Sequence, residues 1–288
     1  MGLRAAITSD TIPTVRPSPL FHMNDPTFWH RFWLLYGAGM IGLVAILPYL
    51  AALIKPKLAG QRISLSGALA LQFGQTALLL AIAVYFGLAA ALSTSLGGAL
   101  VRQPASVGKE LQQIALASFG LGALTAAVVS LLDYYLLLPR VPGLRAAAAP
   151  LVRLPVWQKL AATFYGSLSE EILMRLGLFS VLVWAWRKLF AATGDPAQLD
   201  YWIPNLIVAL LFGVAHLPAT AALVPLTPVV IVRALVINGL LSLVFGYLYF
   251  RHGLLSSITA HLAADLFLQL AGQWGAGFPA EPPAPPEP

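Results

Sequence analysis

The chain has 288 residues, 59% of them hydrophobic and only 10% charged, with a mean hydropathy of +0.80. A water-soluble domain carries about 25% charged residues, so composition excludes an ordinary soluble globule and predicts an all-α, polytopic helical membrane protein of about seven to eight transmembrane helices. The absence of cysteine excludes disulfides, thiolate zinc sites and a cysteine nucleophile, and the net charge of +6 comes from Lys and Arg set singly at the ends of apolar runs, which assigns them to lipid headgroups and not to nucleic acid.

Residues 1–31 read as a polar arm with three prolines before Phe21 and no apolar leader core, so the first span is expected to act as an uncleaved signal anchor. The aromatic, basic "TFWHRFW" at 27–33 suits the membrane interface. Spans follow over about 32–54, 67–92 and 110–138, separated by a short basic loop at 55–66 and a Gly/Pro/Ser loop at 93–109. Asp133 near the end of the third span reads as a headgroup-level polar residue. "PRVPGLRAAAAPLVRLPV" at 139–156 is a basic, Pro-rich interfacial linker and the natural domain boundary. A helical stretch over 157–190 follows, then the turn-rich "ATGDPAQLD" at 192–200. Further spans cover about 201–217, 228–250 and 254–271, with a re-entrant turn or short broken helix at 218–227. The chain therefore divides into an arm (1–31), three accessory spans (32–138), the linker (139–156), a C-terminal helical membrane core (157–272) and a Pro-rich tail (273–288). Lys and Arg number 8 on one side of the membrane and 7 on the other, which does not set the orientation, although Arg140, Arg145, Arg153 and Lys159 favour their own side as cytoplasmic.

Charge inside the apolar core carries the chemistry. In "SLSEEILMRLGLF" at 167–179, Glu171 and Arg175 stand four residues apart and share a helix face. Glu170 is turned by about 100° on a regular α-helix and needs another partner. A single central charge costs roughly 2.5–3.5 kcal/mol on insertion scales. Partners of the right type lie further on. "FGVAH" places His216 four residues after Phe212, and "HLAAD" places His261 and Asp265 on one helix face. Each alone is also readable as structural, a histidine bonding between helices or an intrahelical ion pair. Together, on three helices of the C-terminal half, they mark a functional site. On the 228–250 span, Gly239 and Gly246 read as close-packing positions, Asn238 as an interhelical hydrogen bonder, and Arg233 as snorkelling to the interface.

The ordered set "EEILMR", "FGVAH" and "HLAAD" resembles the CPBP family (CAAX protease and bacteriocin-processing, also called Abi), which comprises prenyl endopeptidases of the Ras-converting type and bacteriocin-processing or immunity relatives. The resemblance covers roughly residues 155–270. It implies a glutamate-type intramembrane endopeptidase without cofactor or catalytic metal, acting on a membrane-anchored peptide or protein in a bacterial inner (plasma) membrane. Carried across, Glu170 is the general base, His216 helps to hold and polarise the attacking water, Glu171 and Arg175 brace the site, and His261 with Asp265 takes the oxyanion-stabilising position. The prenyl endopeptidases have Asn where this chain has Asp265. An ionised aspartate cannot donate to an oxyanion, so the expected role of Asp265 is to orient His261 as the donor. Two alternatives stand beside this reading. One is an intramembrane metalloprotease, since Glu, two His and Asp could form a His₂-carboxylate set, though no H-E-x-x-H spacing occurs. The other is a non-enzymatic membrane scaffold or bacteriocin-immunity-type protein.

Overall fold

The structure is a computed structural model that describes residues 25–58, 60–190 and 197–275, with side-chain surroundings through residue 269. Most of the polar arm, residues 191–196 of the turn-rich loop, and the tail from residue 276 lie outside the described residues. Among the described residues every regular element is a helix.

Helix α1 (Pro26–Ala45) starts inside what the sequence reading assigned to the arm. Asp25 accepts a hydrogen bond from the Thr27 amide at 2.9 Å and Pro26 occupies the first turn, where a missing N–H costs nothing. Helix α2 (Leu47–Ile54) continues it after a 41° bend, and Pro48, which has no N–H to give the ladder, lies at the break. Helix α3 (Leu65–Thr94) is capped by Ser64 and closed by Ser95 in the left-handed conformation. The expected Gly/Pro/Ser loop at 93–109 contains α4 (Gly98–Arg102), and the linker at 139–156 contains α6 (Leu144–Val152). Between them runs α5 (Val107–Leu132), extended by a π-helical turn at Asp133–Leu137.

The stretch with the paired glutamates is one continuous rod made of α7 (Val156–Phe164), π-helical segments over Tyr165–Glu170 and Ile172–Phe179, and α8 (Ser180–Leu189). Then come α9 (Leu199–Ala215), the short α10 (Leu217–Ala221), α11 (Pro228–His252) and α12 (Leu254–Gly275). The broken-helix reading of 218–227 thus holds for its first residues. Among the described residues four helical stretches are long and apolar enough to cross a bilayer, or five if the bent α1–α2 pair is taken as one span. The protein is an all-α, multi-span candidate membrane protein.

Packing shows why the apolar runs are tolerated. On α3, Leu80, Val84 and Leu88 repeat every fourth residue and are fully buried against Ile172, Leu176 and Phe179 of the π-helical rod. Its other face exposes Leu71, Leu78, Leu79, Ile82 and Phe86, and α5 exposes Leu116, Leu124, Val128 and Leu131. Continuous apolar bands of this kind need lipid, not water, as their neighbour.

Polar ties fix the ends of the bundle. Gly97, Gly98 and Gly253 all have positive φ, and the Leu254 amide donates to the Gly97 carbonyl at 3.0 Å, which seats the start of α12 on the α3–α4 turn. At the other end Lys57 reaches the Ala221 carbonyl at 3.4 Å. Arg233, read from the sequence as snorkelling to the interface, has a partner that the sequence did not show. It forms a two-pronged pair with Asp133 at 2.7 and 2.6 Å, joining the end of α5 to α11. Sharing one another, the two charges avoid separate solvation. Asn238 donates to the Ala234 carbonyl of its own helix at 2.8 Å instead of bonding across helices. Gly246 does meet another helix closely, through Asn205 of α9, whereas Gly239 makes only an ordinary approach to the Ala209 carbonyl.

Candidate active site

Glu171 and Arg175 are fully buried, and Glu171 Oε2 accepts from Arg175 Nε at 3.2 Å. The i,i+4 pair expected from the sequence is therefore made. Arg175 Nη2 donates to Ser242 Oγ of α11 at 3.0 Å, and the guanidinium carbon lies 5.7 Å from the Phe212 ring and 6.0 Å from the Phe245 ring. Nη1 has no hydrogen-bond partner among the described residues. The cation is thus held by one carboxylate, one hydroxyl and two aromatic rings, contributed by three elements.

The second oxygen of Glu171 reaches across to α12, where His261 Nδ1 lies 2.8 Å away. A carboxylate can only accept, so Nδ1 carries the proton and donates. His261 is stacked on Phe245 at 4.5 Å between ring centroids, with 21° between the planes. Its other nitrogen, Nε2, faces Asp265 Oδ1 at 3.7 Å and Glu170 Oε2 at 4.0 Å. Glu170 and Asp265 are partly open, with side-chain exposures of 19% and 24%, while Glu171 has none.

Glu170 and Glu171, which the sequence reading turned about 100° apart, reach the same imidazole, one at each nitrogen. The rod that carries them is π-helical on either side of Glu171, and π-helical turns recur at functional sites. The orienting hydrogen bond to His261 is also not Asp265's. Glu171 makes it, and Asp265 stands beyond hydrogen-bond distance.

His216, at the end of α9, is partly buried. Its Nδ1 lies 2.9 Å from the Phe212 carbonyl, so Nδ1 donates and Nε2 is left as the acceptor nitrogen. It makes no ion pair with either glutamate. Its link to the cluster is Phe212, whose ring lies 4.5 Å from His216 and 6.1 Å from His261. The structure therefore brings Glu170, Glu171, Arg175, His261 and Asp265 together and places His216 one aromatic ring away.

Sequence reasoning missed three contributors. Ser242 and Phe245 hold Arg175 and His261 from α11, and the only signal for them was a serine three residues before an aromatic in an apolar span. Gly166 is the third. A Cβ there would run into Asp265 Oδ2 and come within 2.9 Å of His261 Nε2. Only a residue without a side chain leaves room for these groups on that wall. Among the described residues no group of three or more His, Asp or Glu is arranged to hold a metal ion.

Residues 152–267 match the family model described as "Type II CAAX prenyl endopeptidase Rce1-like", so the chain carries a domain of this type over that part of its length. No curated protein and no solved structure matches the chain.

Proposed function

We infer that a chain carrying a Rce1-like domain from 152 to 267, with a buried glutamate–histidine pair inside it, is an intramembrane endopeptidase of the glutamate/histidine type. The observation that carries the reading is His261, fixed at Nδ1 by a fully buried carboxylate and presenting Nε2 toward two partly open ones. That arrangement sets a base and a donor side by side, which is what peptide hydrolysis asks for.

In the proposed reaction Glu170 takes a proton from water as the oxygen bonds to the scissile carbonyl carbon. Protonated His261 donates from Nε2 to the oxygen that becomes negative. The C–N bond then breaks, and the proton held by Glu170 passes to the leaving nitrogen. Glu171 and Arg175 hold His261 in place, Asp265 flanks Nε2, and His216 acts on the water from the far side of Phe212. Residues 157–272 form the catalytic core, following the basic linker at 139–156. Counting the π-helical rod and α12 with the five apolar spans gives seven crossings. The substrate is a membrane-anchored peptide or protein, for which a lipidated chain ending in a CAAX-type tetrapeptide is the first candidate. The bacterial plasma membrane expected from the resemblance belongs to the same proposal.

The test is cleavage of fluorogenic lipidated and unlipidated peptides by the protein in liposomes. Wild type is expected to cut and Glu170→Ala, His216→Ala and His261→Ala to be inactive while still inserting. Activity lost to a chelator and restored by a metal ion would overturn the metal-independent step. Peptide binding without cleavage by wild type would return the scaffold reading.

A further inference from the structure

The matched domain begins at residue 152, so α1, α3 and α5 all lie outside it. Each nevertheless lays one glycine directly on backbone beside a residue of the site. On α1, a Cβ at Gly42 would collide with Ser169 Oγ and lie 2.6 Å from the Phe164 carbonyl oxygen, and Ser169 adjoins Glu170. On α3, a Cβ at Gly87 would collide with the Leu176 carbonyl and lie 2.7 Å from Gly177 Cα, next to Arg175. On α5, a Cβ at Gly122 would collide with the Ala260 carbonyl and lie 2.7 Å from Ala260 Cα, next to His261. Carbon atoms in contact prefer about 3.5–4.0 Å, so none of the three positions has room for a methyl group.

Buried hydrogen bonds lock two of these crossings. Ser169 Oγ donates to the Gly39 carbonyl of α1 at 2.7 Å, and Ser118 of α5 meets Ser256 of α12 at 2.7 Å. The latter pair lies one helical turn from Gly122 and Ala260 on each helix.

We propose that the three N-terminal spans are a register clamp, in which Gly42, Gly87 and Gly122 are positioning residues for Glu170, Arg175 and His261. The proposal rests on the peptidase reading for its consequence in turnover, but the placement of His261 is measurable without it. A clash with backbone cannot be relieved by turning a side chain. The helices must part, and His261 moves relative to Glu171 on the neighbouring rod. A displacement near 1 Å costs on the order of 100-fold in a positioned reaction.

Each span supplies its own control. Gly37 on α1, Gly74 on α3 and Gly120 on α5 have nothing near the place a Cβ would occupy. Six variants, each glycine to alanine, are compared in liposomes with the peptide that wild type cuts best. Gly42→Ala, Gly87→Ala and Gly122→Ala are expected to lose about 10- to 100-fold in kcat per folded molecule with KM changed less than about threefold. The three controls are expected to stay within about twofold of wild type. In parallel, ¹⁵N-histidine-labelled protein in nanodiscs reports the Nδ1 proton of His261, assigned by its absence in His261→Gln. That resonance is expected to move in Gly122→Ala and to stay in Gly120→Ala. If Gly122→Ala does not fold, Ser118→Ala loosens the same crossing without adding volume and must move the signal. An unmoved His261 resonance in a folded Gly122→Ala or Ser118→Ala protein, or equal losses in clamp and control variants, overturns the proposal. A moved resonance in a protein that cuts no peptide would sink the peptidase reading and leave the clamp standing.

Discussion

Replacing Arg175 by methionine keeps most of the stem volume and removes only the cation. In the native protein that cation is fully buried, donates to Glu171 at 3.2 Å and to Ser242 at 3.0 Å, and lies beside the Phe212 and Phe245 rings. Without it, the Glu171 carboxylate stays fully buried with His261 as its remaining bonded partner. Stranding one member of a buried ion pair costs about 3–5 kcal/mol. A thioether between two rings returns about 1 kcal/mol at most. The net loss expected is about 2–4 kcal/mol, which corresponds to roughly 4–16 °C in melting temperature for a chain of this size class. The assay is thermal unfolding in detergent micelles, followed by near-UV circular dichroism. A second variant separates stranded charge from lost packing. In Arg175→Met with Glu171→Gln, the amide oxygen still accepts from His261 Nδ1 and neither member of the Glu171–Arg175 pair keeps its charge, so at least half of the lost stability should return. A single variant melting within about 2 °C of wild type, or a double variant no more stable than the single, would refute the argument that charge compensation holds this cluster together.

Glu170→Gln should do the opposite. Its carboxylate is partly open and 4.0 Å from the nearest ionic partner, so melting should move by less than about 2 °C, while peptide cleavage falls by about 10²–10⁴-fold, the usual contribution of a general base. The Asp133–Arg233 pair is two-pronged but about one-fifth exposed, and a double-mutant cycle with Asp133→Leu and Arg233→Met should return a coupling of about 1–2 kcal/mol; zero coupling would mean the pair does not join the helices. Asn238→Ala should leave stability within about 0.5 kcal/mol and cleavage unchanged, because its side chain bonds only its own helix; a larger loss in an unfolding titration would mean that it bonds across helices after all.

The spans were readable because a bilayer imposes length and apolarity directly on the sequence. The start and end of α3 and of α11 fall within about two residues of the expected bounds, at Ser64 and Ser95 and at Thr227 and Gly253, where capping side chains or positive φ mark the chain. The candidate residues stood out as a set because ionised groups are rare at membrane depth. Their arrangement was not legible. Nothing in "SLSEEILMRLGLF" separates an i→i+5 helix from an α-helix, and nothing in it says that one imidazole sits between Glu170 and Glu171. Asp133 and Arg233 are 100 residues apart, and no local pattern links them. Gly166, Gly42, Gly87 and Gly122 look like any of the 24 glycines in the chain. What distinguishes them is what lies opposite, and that is information held by the partner helix.

The turn that seats α12 bears on how this protein can be handled in the laboratory. The loops at 60–64 and 95–98 look alike on paper, short and poor in secondary structure. The first is exposed, and a Cβ added at Gly60 would meet nothing within 4 Å, so an epitope or fluorescent reporter inserted there should be silent. The second is bolted to Gly253 and Leu254, only seven residues from His261. A cargo placed in it would tug on the imidazole itself, and a tagged protein that expresses well yet is catalytically dead would be blamed on the wrong cause.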